Sequence, residues 1–117
     1  MAIEITEAGY QTLRDYIQNN WKYVELFDDS DNPVGRFEIG GTKANWIHTI
    51  GDQTLIARLI VTGADIGVGT TVKGTKLFET NSSSDILHED NFNYMFTFGD
   101  TEDQLTVEHQ IEVPVIT

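Results

Sequence analysis

Between positions 104 and 116 the chain alternates more cleanly than anywhere else. Leu105, Val107, His109, Ile111, Val113 and Val115 fall on one side. Thr106, Glu108, Gln110, Glu112 and Pro114 fall on the other. A period of two belongs to a strand, so this segment lies in a sheet with one buried and one wet face. Such a sheet must cover its apolar face with a second layer. Pro114, which lacks a ladder donor, places the strand at an edge or ends it.

The rest of the chain after position 20 carries the same signature in shorter pieces. Residues 21–27 and 34–39 are rich in aromatic and β-branched side chains. They flank Asp28, Asp29, Ser30, Asp31, Asn32 and Pro33, which reads as the turn of a hairpin. Residues 45–50 put Trp46, His48 and Ile50 on one face. Residues 54–62 are apolar on both faces except at Arg58, which predicts a strand covered on both sides. A Gly-rich connection, 63–69, leads to a strand at 70–80 with Gly74 as a bulge or turn. Residues 93–98 place Tyr94, Phe96 and Phe98 together. Residues 81–85 form a polar loop.

One helix precedes all this. Thr6 is a fitting N-cap, Glu7 suits the positive end of the dipole, and Tyr10, Leu13 and Ile17 form a stripe widened by Tyr16. The span predicted is 6–20, stopped at Asn19 and Asn20. A chain of 117 residues fits one domain, 1–117. The expected fold is mainly β: an antiparallel β-sandwich or small barrel of about seven to eight strands with one N-terminal α-helix.

Charge narrows the functional classes. Seven basic residues stand against 19 acidic ones, a net charge of −12. Phosphate backbones and anionic lipid surfaces both need clustered cations, so neither nucleic acid nor membrane is an expected partner. No run approaches a membrane span, and the acidic N-terminus is unlike a signal peptide, so assembly in a cytoplasm is expected. The absence of cysteine excludes disulfides and thiolate chemistry. The charge is also uneven. Residues 77–117 hold nine acids and no Lys or Arg, a net −9, whereas residues 1–76 carry −3. That segment reads as a solubilising surface or as a docking face for a basic partner.

Candidate chemistry is sparse. His48, His88 and His109 could form a zinc site, but they lie on three separate elements without a close pair, so they read as core or boundary histidines. The acids at 28–31 lack the glycine and distal glutamate of a calcium loop and read as turn formers. Asp100, Glu102 and Asp103 sit in a turn where water keeps carboxylates ionised. Gly63, Gly67 and Gly69 precede no predicted helix that would hold a phosphate. Trp21, Tyr23, Trp46, Tyr94, Phe96 and Phe98 could form a sugar-stacking platform, but aromatics at period two more often fill a core. No enzyme, metal site or cofactor is expected.

Ile5-Thr6-Glu7-Ala8-Gly9-Tyr10-Gln11-Thr12-Leu13, followed by the β-rich run 21–27 and an Asp/Asn turn, resembles the opening of bacteriophage tail-fibre and tail-collar proteins. The resemblance covers about residues 3–32. It departs at the turn, where that family carries a Gly-Asp-Gly-like loop. It implies a structural component of a bacteriophage particle, in the tail, baseplate or fibre-attachment region, located in the virion. Its partners would be other virion proteins and further copies of itself, as a homo-oligomer. Alternatives are a capsid decoration protein and a carbohydrate-binding β-sandwich module. The contact between copies is expected to use Tyr10, Leu13, Ile17, Trp21, Tyr23 and Phe27.

Overall fold

The structure, a computed structural model, describes residues 5–114. Helix α1 (Glu7–Asn20) leads into β1 (Tyr23–Asp28), β2 (Pro33–Glu38), β3 (Ala44–Ile47) and β4 (Thr54–Thr62). A single helical turn, α2 (Gly63–Ile66), separates β4 from β5 (Thr71–Phe78), which is followed by β6 (His88–Thr97) and β7 (Gln104–Glu112). The strands form two antiparallel sheets, in the orders β2-β1-β5-β6 and β3-β4-β7. The sandwich-like arrangement and the N-terminal helix match the sequence reading.

The core lies between the sheets. Val24 and Leu26 of β1 and Val72 and Leu77 of β5 meet Leu55, Ala57, Leu59 and Val61 of β4 and Val107 and Ile111 of β7. The inward positions of β5 change parity between Val72 and Leu77 because Lys73 is an extra residue there. Phe27 pairs with Gly74, and Asp28 pairs with Val72. Gly74 is required at this bulge, since a Cβ would run into the Asp90 carbonyl oxygen and the Phe27 ring. The strand expected at the C-terminus is integral to the sheet, pairing with β4 from Gln104 to Glu112. It is an edge strand. Val115, placed on its inner face by the alternation, lies outside the described residues.

Several expectations need correction. β4 is covered on one face only: Leu55, Ala57, Leu59 and Val61 are buried, whereas Arg58 and Ile60 face water. Its apolar outer residues do not mark a second layer. The connection at 63–69 contains the helical turn α2. Ile50 lies beyond β3 in a turn and is exposed. Helix α1 ends on Trp21 in an extended conformation, whose N–H bonds to the Ile17 carbonyl at 2.8 Å, and not on a left-handed asparagine.

The helix is held differently from its predicted stripe. Ile17 is buried, but Leu13 is 45% exposed and Tyr16 is also exposed. The residue buried beside Ile17 is Arg14, 1% exposed. Its Nε donates to the Val113 carbonyl at 2.7 Å, and one terminal nitrogen donates to Glu7 and to Gln11. Gln11 in turn accepts from the Gly51 N–H and donates to His48 Nε2, while His48 Nδ1 meets the Thr54 carbonyl at 2.9 Å. A polar clamp thus pins α1 to the end of β7 and to the β3–β4 turn. A guanidinium can be buried this way because each of its contacts is a charge-assisted or carbonyl hydrogen bond.

Candidate functional site

The two halves of the sandwich part along one side, where β6 and β7 are the edge strands of their respective sheets. Their inner faces should close on one another, but β6 is interrupted. Val72 pairs with Phe96, and Gly74 pairs with Asn91, so Lys73 alone stands opposite residues 92–95. Three surplus residues must leave the ladder. Tyr94 and Met95 are thrown outward, Tyr94 to 89% exposure. Phe92 and Phe96 remain half-buried against the core. The expectation that Tyr94, Phe96 and Phe98 share one face fails for this reason: Phe98 is buried, Phe96 is half-buried and Tyr94 points away.

The bulge leaves a groove of about 300 Å³ between the strands, lined by Phe92, Tyr94, Met95, Phe96, Leu105 and Val107. Asp90 and Glu108 stand at its margins. A larger hollow of about 420 Å³ lies near the chain reversal at Ile39 and Gly40 and is bordered by Lys22, Glu38 and Glu79. It contains no convergent cluster of reactive side chains, and the groove has the more apolar wall.

Deeper along the same side, the structure joins two histidines that the sequence left apart. His88 Nδ1 lies 2.6 Å from His109 Nε2, and His109 Nδ1 lies 2.7 Å from Thr75 Oγ1. One proton fits between the facing ring nitrogens. Burial holds His109 down to about 4, with the neighbouring His88 adding to the effect. Burial also lowers His88, opposed by the negative charge of Asp90. The relay spans both sheets, since Thr75 and His88 belong to one and His109 to the other. Thr75 and His109 are fully buried, so the hydroxyl has no route to a substrate. The arrangement bridges the sheets through neutral imidazoles. Alternation placed His109 inward, but no sequence spacing linked it to His88.

Other sequence candidates are separated. His48 belongs to the helix clamp. Asp28 accepts from the N–H groups of Ser30 and Asn32 at 2.9 and 2.8 Å, which makes it a turn former. Asp103 and Asp100 likewise accept from backbone N–H groups of the β6–β7 turn. Among the described residues, no group of three or more His, Cys, Asp or Glu side chains is placed to hold a metal ion. Trp21 and Trp46 come together, but both pack on the core, and the Trp46 indole donates to the Trp21 carbonyl at 3.1 Å.

The six residues expected at a contact between copies do not form one surface. Ile17 and Phe27 are buried, and Tyr10, Trp21 and Tyr23 are half-buried. Only Leu13 is well exposed. Phe27 lies on the outer face of its sheet, under the Lys76 ammonium at 4.6 Å from the ring centroid. A long cationic side chain can cover an aromatic ring while its charge stays near water.

Comparison with family models, with curated proteins and with solved structures gives no match. Among the described residues, no helix is long and apolar enough to cross a membrane.

Proposed function

We propose that this chain is a structural component of a bacteriophage particle, in the tail, baseplate or fibre-attachment region, acting by protein–protein assembly and not by catalysis. The phage assignment rests on the N-terminal pattern, Ile5 to Leu13. The assembly assignment rests on the β6 bulge, which displays Tyr94 and Met95 beside an apolar groove at an open side of the sandwich. Exposed apolar groups rimmed by charge are characteristic of contact surfaces. Leu13 and Tyr16 on α1 offer a second apolar patch, on the less charged N-terminal part, for contact between copies. A capsid decoration protein would use the same surfaces. A carbohydrate-binding module would need Trp21 and Trp46 open to solvent on a concave face, and their packing against the core favours assembly instead.

Deleting the gene from the phage or prophage that carries it tests the reading. Particles should then lack tail-associated structure or infectivity, and supplying the chain in trans should restore both. Normal, infectious particles from the deletion would refute it.

A further inference from the structure

The outer edge of β7 is unusually regular for an edge strand. It pairs with β4 over nine consecutive positions without a bulge. At one end of this ladder the Val113 N–H bonds to the Gln53 carbonyl, and at the other the Gly63 N–H bonds to the Asp103 carbonyl, both at 2.9 Å. These two bonds fix the parity. Odd-numbered residues of β7 exchange hydrogen bonds with β4, so Thr106, Glu108, Gln110 and Glu112 turn their N–H and C=O groups outward. No second strand is paired to them among the described residues.

The same parity sorts the side chains that an added strand would meet. Its residues opposite Leu105 and Val107 would point inward, into the groove against Phe92 and Phe96. Those opposite Thr106, Glu108, Gln110 and Glu112 would lie on the solvent face, beside Glu112, which has no ion pair among the described residues, and Glu108, which Arg58 already pairs. Charge then selects the occupant. Of the nine acids in residues 77–117, only Glu89 and Glu108 have a cation within ion-pair distance among the described residues, Lys76 and Arg58 respectively. A second copy of the chain would bring the same acidic strand against this one. Acidic edge residues by themselves serve to block self-pairing. A purely defensive edge, however, has no need of a protruding Tyr94 and an apolar groove beside it.

We infer that the β7 edge and the β6 bulge together bind an extended segment of a partner protein that alternates apolar and basic residues, which adds as a fourth strand to the β3-β4-β7 sheet. Main-chain bonds to the outward groups of β7 give the affinity, and the groove and carboxylates give the selectivity. The inference rests on the assembly reading and adds the chemistry of the partner.

The probe is a nine-residue peptide alternating lysine and valine, blocked at both ends, titrated into the isotope-labelled protein and followed by NMR. Saturable binding is expected, with shifts and slowed amide exchange at Thr106, Glu108, Gln110 and Glu112. Affinity should fall about ten-fold or more between low and high salt. A glutamate–valine peptide of the same length should not bind. Gln110→Pro removes one outward donor without touching the β4 ladder and should abolish binding while the protein stays folded. Should that variant fail to fold, Tyr94→Ser, at a fully solvated position, should weaken binding about ten-fold. Shifts located elsewhere, equal binding of the acidic peptide, unchanged binding by a folded Gln110→Pro or by Tyr94→Ser, or self-pairing through β7 would overturn the inference. Failure of the peptide leaves the particle assignment to the deletion test above, and normal particles from that deletion leave the peptide result standing.

Discussion

Arg14 shows how a single side chain decides where the helix sits. Among the described residues its guanidinium is the donor to the Val113 carbonyl, so removing it leaves that part-buried acceptor without this bond and frees the clamp at Gln11. Arg14→Met should cost about 2–4 kcal/mol in urea unfolding, whereas Leu13→Ala, at an exposed position, should cost less than about 1 kcal/mol. A larger loss at Leu13 than at Arg14 would contradict the docking described. His109 makes a second prediction at this scale. Its folded value of about 4 lies below its ordinary 6.5. The unfolded chain therefore binds more protons between those values. Stability from this group is complete above pH 6.5 and is lost as pH falls to about 4, by up to about 3 kcal/mol. His109→Gln should flatten the pH dependence of the urea midpoint in that window, and an unchanged slope would refute the assignment. His109 was legible as inward from the alternation of its strand, though its partners were not, whereas Arg14 was not legible as core. Arg14 looks like a solvated helix charge until its partners, 99 positions away at Val113, are brought to it.

At the scale of elements, irregularities decide the surface. Gly74→Ala would press a methyl group on the Asp90 carbonyl and the Phe27 ring, prising β5 from β6. A loss of about 1–3 kcal/mol is expected, read from thermal or urea unfolding, and a neutral substitution would argue against this register. Ile111→Asp, on the inner face of β7, should cost several kcal/mol, roughly the penalty of burying an unpaired charge. Strand number, the 21–39 hairpin and the inward face of β7 were readable from period-two patterns. The helix start was readable from Thr6, whose Oγ1 accepts from the Gly9 N–H at 3.2 Å. The β6 bulge was not readable, because alternation assumes an unbroken pleat and three surplus residues reverse it. That one irregularity converts Tyr94 from a core residue into the most exposed aromatic of the groove. Aromatic content also put Phe27 and Trp21 among the contact residues, since the sequence does not show that Lys76 covers the one ring and that the other packs on the core.

For the molecule as a whole, charge is the feature that bears most on the proposed association. With −9 of the net −12 in residues 77–117, copies should repel through that part at low salt, and the contact proposed between copies is assigned to the N-terminal part. Light scattering across a salt series should show self-association strengthening as the Debye length shrinks to about 8–10 Å and below. A monomer at high concentration and every salt level would leave only assembly templated by another protein. Membership in a particle is the central claim, and mass spectrometry of purified particles released by cells that carry the gene tests it most directly. The chain should be present at a fixed ratio to the other structural proteins and should cross-link to them. Its absence from particles that are otherwise complete would contradict the account.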